Sequence, residues 1–270
     1  MTTLAETFTR VAEEGRPALV GYLPAGFPDV ASSIRAIEAM VAGGVDIVEV
    51  GLPYSDPVMD GPTIQAAADH ALAGGVRIRD VFEVVRASAA TGAPTVVMTY
   101  WNPVERYGDE RFASALADAG GAGMITPDLI PDEAQEWTSA ARKYELDQIF
   151  LVAPSSSDER LAMTARAASG FVYATSVMGV TGARAQTSSR APELVRRLRA
   201  VTDKPIGVGL GVSNGDQAAE VGAYCDAVIV GSAVVRCLLD VPVDEGLQAV
   251  RRLAEDLRAG VGRARAETAR

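Results

Sequence analysis

The sequence contains few of the residues that bind metals or form disulfides. Its 270 residues include two cysteines and one histidine. Cys225 and Cys237 do not have a metal-binding spacing, so they are interpreted as small buried side chains in a reducing compartment. His70 falls within a helix-period segment rather than at the end of a strand, which predicts a residue on a helix surface. A disulfide framework and a metal site are therefore not expected.

Long apolar runs and clusters of positive charge are also scarce. No run of about 18 apolar residues occurs, although 48% of the residues are hydrophobic, so no membrane-spanning helix is predicted. Residues 1–15 lack the apolar core of a signal peptide, and the cytoplasm is the expected location. The formal net charge is −10, and basic residues cluster only at the C-terminal end, which argues against a nucleic-acid partner.

Short apolar runs alternate with segments of helical period along the whole chain. The apolar runs predict eight strands, at residues 18–23, 45–50, 95–99, 123–126, 148–152, 171–174, 205–208 and 227–230. The main helix predictions are residues 34–41, 64–73, 80–89, 110–119, 131–144, 158–168, 193–201, 216–221 and 244–257.

Eight strand-then-helix units predict an α/β fold, a (β/α)8 TIM barrel, because each parallel strand needs a crossover and right-handed crossovers close the sheet on itself. Thr3 and Glu6 form a capping-box pattern that predicts an extra N-terminal helix. Residues 1–270 are predicted to form a single domain, with residues 258–270 as a frayed tail. An open doubly wound sheet is the alternative, but Gly21 and Gly26 do not have the G-x-G-x-x-G spacing of its dinucleotide signature.

Two carboxylates frame the stretch at residues 45–65. By period-two alternation Glu49 shares one strand face with Ile47, in apolar company, and Asp60 follows in a turn-rich loop. A carboxylate is costly to desolvate unless it is paired or neutralised, so Glu49 is a candidate catalytic residue. A buried ion pair, or a strand end already in water, is the structural alternative.

Aromatic residues lie at the predicted ends of three strands. Tyr22, Tyr100 and Tyr173 are three of seven tyrosines, whereas barrel interiors favour Val, Ile and Leu. Loops after the strands form the active face of such barrels, so together these tyrosines suggest a flat apolar ligand. A single tyrosine at one of these positions would be explained about as well by packing that fills the end of the barrel, without a ligand.

Glycine-containing turns follow the sixth, seventh and eighth strands, where barrels commonly bind phosphate groups. The candidate phosphate-binding residues in these turns are Thr181, Gly182, Gly211, Gly231 and Ser232. The polar segment at residues 176–191 is too long for a simple connection and is predicted to act as a lid over the site.

Several of these motifs together resemble one known family. The segment from Glu49 to Gln65, EVGLPYSDPVMDGPTIQ, is joined by Asn102-Pro103, Pro127-Asp128-Leu129 and the Gly179–Gly182 turn. The chain resembles, nearly end to end, the alpha subunit of tryptophan synthase, which is an indole-3-glycerol-phosphate lyase.

The resemblance assigns roles to the candidate residues. It implies that Glu49 and Asp60 are catalytic and that the glycine turns bind phosphate. It also implies an indole pocket formed by Tyr22, Tyr100, Tyr173 and Ile64. The sequence departs from the family pattern at Tyr54, Met59 and the pair Val177-Met178, positions that bear on lid closure and partner fit.

The implied reaction is a retro-aldol cleavage to indole and glyceraldehyde 3-phosphate in L-tryptophan biosynthesis. In it Glu49 would exchange protons at the side-chain hydroxyl and at C3, and Asp60, on a more polar loop, would stay ionised and accept the indole N–H. No cofactor is expected in this chain. The implied partner is a beta subunit that carries pyridoxal phosphate and consumes the indole, in an alpha2beta2 tetramer.

Three alternatives stay open at this point. The chain could be a stand-alone lyase, or a non-catalytic regulator of a partner subunit that binds a phosphate ligand. A different sugar-phosphate barrel enzyme, such as an isomerase or epimerase, would need another acid–base pair, and His70 does not provide metal ligands for it.

Overall fold

A computed structural model describes residues 2–175, 190–209 and 211–264. Eight parallel strands form a closed barrel in sequence order, with the last strand paired to the first. The strands are β1 Ala18–Pro24, β2 Ile47–Gly51, β3 Thr95–Met98, β4 Gly123–Thr126, β5 Asp147–Val152, β6 Val172–Thr175, β7 Ile206–Gly209 and β8 Ala227–Val230. The predicted (β/α)8 TIM barrel is confirmed.

Helices surround the barrel. Those described are α1 Leu4–Glu13, α2 Val30–Ala42, α3 Pro62–Ala73, α4 Ile78–Ala90, α5 Trp101–Tyr107, α6 Asp109–Asp118, α7 Gln135–Lys143, α8 Asp158–Ala167, α9 Arg190–Arg199, α10 Gly215–Gly222, α11 Ser232–Arg236 and α12 Val243–Arg263. The sequence did not predict α5. It also placed the end of α12 too early, since residues 258–263 are helical rather than frayed, and residues 265–270 lie outside the described part of the chain.

The N-terminal helix α1 closes the amino-terminal end of the barrel. Thr3 caps it, and Glu6 completes the predicted capping box by accepting from the backbone N–H of Thr3 at 2.8 Å. Leu4, Phe8 and Val11 pack against inward-facing strand residues, among them Ile47. These apolar contacts make the amino-terminal part of the barrel interior a packed core.

A buried ion pair fixes the same end of the barrel. The Arg16 guanidinium donates two hydrogen bonds to Asp46, at 2.6 and 2.8 Å, and Arg10 and the backbone N–H of Leu19 donate to the same carboxylate. Burial by itself raises the pKa of Asp46, but these hydrogen bonds outweigh it and hold the pKa below the ordinary value. The network joins α1, β1 and the turn before β2, far from the carboxyl ends of the strands.

Within the described ranges, no helix is both long enough and apolar enough to cross a bilayer. His70 lies exposed on α3, as predicted, with its ring edge-on to Phe27. Cys225 is buried, as predicted, whereas Cys237 is only partly buried.

Candidate active site

Strand alternation places Glu49 inside the barrel. Ile47, two residues earlier in β2, belongs to the interior cluster, so Glu49 projects inward one layer nearer the carboxyl end. Its side chain is 3% exposed, and its Oε2 has no hydrogen-bond partner among the described residues. Burial, followed by the nearby charge of Asp60, raises the pKa of Glu49 to about 8. The carboxyl group therefore holds a proton at neutral pH.

Asp60 lies on the loop between β2 and α3. Its Oδ1 accepts a hydrogen bond from the Tyr100 hydroxyl at 3.1 Å, and its backbone oxygen accepts from Gln65 Nε2 at 2.7 Å. Burial raises the pKa of Asp60, and the hydrogen bond from Tyr100 opposes that rise. The loop is polar as predicted, with Ser55 and Asp56 exposed, but Asp60 itself is partly buried.

The two carboxylates and two tyrosines lie close enough to act on one another. Burial raises the pKa of both Tyr22 and Tyr173 well above the ordinary value, and the charges of Asp60 and Glu49 add to the rise in each. Both rings follow interior residues by period two, since Val20 precedes Tyr22 and Phe171 precedes Tyr173 on the interior face. The side chains of all four residues therefore face the same space at the end of the barrel.

Two strand glycines make room for these tyrosine rings. A Cβ on Gly51 would lie 2.3 Å from the Tyr22 hydroxyl oxygen, and a Cβ on Gly209 would lie 2.5 Å from that of Tyr173. Each ring therefore crosses the neighbouring backbone at a point where a side chain cannot be accommodated.

The sequence suggested that each of the three tyrosines lies at the end of its strand, but the structure does not place all three there. Tyr22 lies within β1, and Tyr173 lies early in β6. Tyr100 follows β3 and forms the N-cap of α5. Ile64 is buried on α3, in the same apolar cluster as Tyr22.

The candidate phosphate turns are described only in part. Gly211 follows β7 with φ +70°, a conformation that favours glycine. Gly231 and Ser232 open α11 directly after β8, and a Cβ on Gly231 would lie 3.2 Å from the Tyr22 ring, so this turn adjoins the aromatic side of the site. Thr181 and Gly182 lie outside the described residues, as does most of the predicted lid, including Val177-Met178.

Two contacts at the site were not predicted from the sequence. The Tyr100 hydroxyl accepts the backbone N–H of Met59 at 3.0 Å, and Asp128, after β4, accepts the backbone N–H of Trp101 with both carboxylate oxygens. Both contacts join different βα loops, so no local sequence pattern reports the contacts themselves, although Met59 departs from the family pattern and Asp128 belongs to the Pro127-Asp128-Leu129 motif.

Tyr54 and Asn102 add a further contact between loops. Asn102 Nδ2 donates to the Tyr54 hydroxyl at 3.1 Å, and the Tyr54 ring lies 5.4 Å from that of Tyr100. The hydroxyl of Tyr54 therefore has a defined partner on α5.

The arrangement can carry out acid–base chemistry on an apolar, flat substrate. Glu49 offers a proton in a water-poor position, and Asp60 offers an oriented carboxylate nearby. Among the described residues, no cluster of three or more His, Cys, Asp or Glu side chains is arranged to hold a metal ion.

Comparisons with known proteins agree over nearly the full chain. A family model described as tryptophan synthase alpha chain matches residues 8–262. The chain is 62% identical to the tryptophan synthase alpha chain of Nocardia farcinica, over 96% of this chain and 95% of the relative. It is 59% identical to the corresponding chain of Acidothermus cellulolyticus, over 97% and 98% of the two chains.

Solved structures give the same result. A Mycobacterium tuberculosis tryptophan synthase structure matches with a TM-score of 0.90 and 56% identity, over 97% of this chain and 99% of that one. A tryptophan synthase alpha chain from Legionella pneumophila subsp. pneumophila matches with a TM-score of 0.87 and 30% identity, over 97% of each chain.

Proposed function

The chain belongs to the tryptophan synthase alpha chain family, and we propose that Glu49 and Asp60 perform its chemistry. The family's activity is that of a carbon–carbon lyase, which cleaves indole-3-glycerol phosphate to indole and glyceraldehyde 3-phosphate in tryptophan biosynthesis. This subunit needs no cofactor of its own, since pyridoxal phosphate belongs to the beta subunit.

Glu49 transfers the protons in the proposed mechanism. Its protonated carboxyl gives a proton to indole C3, and the resulting carboxylate takes the proton of the hydroxyl on the adjoining side-chain carbon. The carbon–carbon bond then breaks, its electron pair returns to the ring, an aldehyde forms, and Glu49 is protonated again. A pKa of about 8 suits both halves of this exchange near neutral pH.

Asp60 stabilises the charge that develops on the ring. Protonation at C3 leaves positive charge on the indole nitrogen, and an ionised carboxylate that accepts the N–H is stabilising at that moment. The hydrogen bond from Tyr100 favours the ionised form of Asp60 and fixes its orientation.

The remaining candidate residues bind the substrate. Tyr22, Tyr173 and Ile64 would contact the indole, and Tyr100 would form the wall beside Asp60. The backbone N–H groups at Gly211, Gly231 and Ser232, together with Thr181 and Gly182, would hold the phosphate. The close approach of Gly231 to Tyr22 supports a phosphate site next to the indole pocket.

One observation carries the assignment of Glu49 and Asp60. A nearly fully buried carboxyl group, with one oxygen lacking a partner among the described residues, lies beside a second carboxylate. Desolvation of this kind weakens a fold, so it supports a chemical role rather than a packing role.

The test measures indole release from indole-3-glycerol phosphate. Glu49→Gln is expected to abolish turnover while affinity for a glycerol-phosphate analogue survives. Asp60→Asn is expected to lower kcat by about two to three powers of ten. Glu38→Gln and Asp69→Asn, exposed carboxylates on α2 and α3, are matched controls that should keep normal turnover. Substantial turnover in Glu49→Gln would remove Glu49 from its role.

The finer proposal on partners is an alpha2beta2 tetramer with a tryptophan synthase beta subunit. Val58, on the same loop as Asp60, is 71% exposed, the highest value among the exposed large apolar residues of the described part of the chain. An apolar side chain so placed suits an interface core.

Co-purification with a beta subunit of the family tests the interface. Val58→Asp is expected to weaken the complex, and Val201→Asp, at an exposed apolar residue after α9, should leave it intact. Absence of any complex with the unmodified chain would favour a stand-alone lyase.

We also propose that the protein works in the cytoplasm and that residues 1–270 form one domain. One closed barrel is built from strands at residues 18–230, which supports a single domain.

A further inference from the structure

The Tyr100 hydroxyl holds two neighbouring groups of the β2–α3 loop. It accepts the backbone N–H of Met59 at 3.0 Å and donates to Asp60 Oδ1 at 3.1 Å. One hydroxyl thereby fixes both the backbone before Asp60 and the direction of its carboxylate. A hydroxyl can donate once and accept twice, so both bonds form together.

Asp128 fixes the backbone of Tyr100 from a third loop. Its two carboxylate oxygens accept the N–H of Trp101, at 2.9 and 3.1 Å, and Trp101 is the first residue of α5 after the N-cap Tyr100. A carboxylate is favourable at a helix N-terminus, where N–H groups lack partners within the helix. The contact ties the β4 loop to the residue that orients Asp60.

The ring of Tyr100 is also held. Tyr54 lies against it with ring centroids 5.4 Å apart, and Asn102 on α5 donates to the Tyr54 hydroxyl. Backbone, ring and hydroxyl of Tyr100 thus each have a defined contact, and the orientation of Asp60 depends on all three.

We propose that Tyr100 and Asp128 are positioning residues for the lyase reaction, acting in series to orient Asp60 toward the substrate's ring N–H. The proposal rests on the proposed function, since it takes the role of Asp60 from there. The Tyr100 hydroxyl occupies Oδ1, which directs Oδ2 to the substrate. Asp128 acts one step further away, by holding the start of α5.

Tyr100 does not exchange protons itself in this scheme. Burial and the charge of Asp60 raise its pKa, so the hydroxyl keeps its proton at any pH at which the enzyme works. Its loss removes a hydrogen bond that lowers the pKa of Asp60, and the pKa of Asp60 then rises.

The pH dependence reflects the titratable groups that face Asp60 within the described part of the chain. These are Glu49 from β2, Tyr22 from β1, Tyr173 from β6 and Tyr100 before α5. Of these, Tyr100 is the group whose removal weakens the ionised form of Asp60. Activity that needs ionised Asp60 should therefore be lost at a higher pH in Tyr100→Phe than in the unmodified enzyme.

The experiment compares four single variants by kcat, KM and the acid limb of the pH–rate profile. Tyr100→Phe is expected to lower kcat about tenfold to a hundredfold, with KM changed by less than about threefold, and to move the acid limb to higher pH. Asp128→Ala should also lower kcat and move the acid limb to higher pH, but by smaller amounts. Asp128→Asn should restore most of the loss, because its side-chain oxygen still accepts the Trp101 N–H.

Asp29→Ala is the matched control. Asp29 caps α2 in the same manner, by accepting the backbone N–H of Ser32, but has no link to Asp60. Its kcat and acid limb should be unchanged, which separates loss of a helix cap from loss of positioning.

The double variant with Asp60→Asn separates this proposal from the proposed function. Tyr100→Phe should cause no further loss in that background, because both changes act on one step. An unchanged kcat and acid limb in Tyr100→Phe, or a full additional loss in the double variant, would overturn the positioning role while leaving Asp60 in place. Normal turnover of Asp60→Asn alone would instead overturn the proposed function.

Discussion

Glu49 holds a carboxyl group in a position that is closed to water. Period two predicted that Glu49 shares a strand face with Ile47, but it left open a strand end in water, and the burial of Glu49 decides between the two. The sequence could not give the position of Asp60 relative to Glu49, because a loop of undetermined path separates them. The sequence also could not predict that Tyr100, which lies on another loop, contacts the Asp60 carboxylate.

The raised pKa of Glu49 should make the stability of the fold depend on pH. Its folded value of about 8 lies above the ordinary 4.5, so between these pH values the folded state keeps a proton that the unfolded state releases. The free energy of unfolding should fall as pH rises through that window. Glu49→Gln has no such proton. The stability of this variant relative to the unmodified protein should therefore increase from pH 5 to pH 8, by on the order of a few kcal/mol, and its relative Tm should rise with it.

Thermal melts at several pH values measure this difference, with Glu38→Gln as the control. A gain in Tm that is the same at pH 5 and pH 8 would mean that Glu49 is not protonated preferentially in the folded state.

Among the secondary-structure elements, glycines allow helix α12 and the tyrosine rings to pack closely against neighbouring backbone. The sequence predicted strands closely because buried parallel strands appear as continuous apolar runs. It ended α12 too early because Gly260 and Gly262 resemble a tail. A Cβ on Gly260 would lie 2.0 Å from the Gly215 backbone oxygen, so this glycine allows α12 to pack closely on α10.

The short helix α5 was missed for a different reason. Its start is capped by Asp128 from another loop, and its sequence carries Pro103 within a seven-residue helix. Neither feature forms a local helix signal.

The packing of Tyr22 over Gly51 predicts a sensitive position on β2. Gly51→Ala would place a Cβ 2.3 Å from the Tyr22 hydroxyl oxygen and 2.7 Å from two ring atoms. We expect a loss of about 1 to 3 kcal/mol in stability and a higher KM for indole-3-glycerol phosphate as Tyr22 moves. Chemical denaturation and steady-state kinetics measure the two effects.

Gly74→Ala is the matched control, since its Cβ would lie 3.4 Å from the nearest atom and its φ is −70°. Adding Tyr22→Leu to Gly51→Ala should recover stability but not KM. Unaltered KM and stability in Gly51→Ala would show that Tyr22 does not depend on this contact.

At the scale of the whole molecule, the two ends of the barrel have separate tasks. The amino-terminal end is closed by α1 and the Arg16–Asp46 pair, and the carboxyl end carries the candidate site. The sequence showed the two ends through strand direction, but it did not indicate that Arg16 and Asp46 pair, since 30 residues separate them and no local pattern links them.

The ion pair predicts a stability effect without a direct effect on catalysis. Asp46→Ala leaves the buried Arg16 guanidinium without its main partner and should cost about 3 to 5 kcal/mol. Asp244→Ala, in the exposed pair with Arg35, should change stability little. Because the pKa of Asp46 is lowered by folding, its contribution is present above the ordinary pKa of 3.8 and is lost as pH falls below it.

Denaturant unfolding at pH 7 and at low pH measures this contribution, and kcat of the folded variant should be normal. Equal losses in Asp46→Ala and Asp244→Ala would show that burial does not set the strength of the pair.

Glu49 keeps its proton at neutral pH because it is buried beside Asp60. Carbon-13 NMR titration of the side-chain carboxyl groups tests it, with the Glu49 signal assigned by its disappearance in Glu49→Gln. We expect a titration midpoint of about 8, and a lower midpoint in Asp60→Asn, where the neighbouring charge is removed. A midpoint near the ordinary 4.5, unaffected by Asp60→Asn, would contradict it.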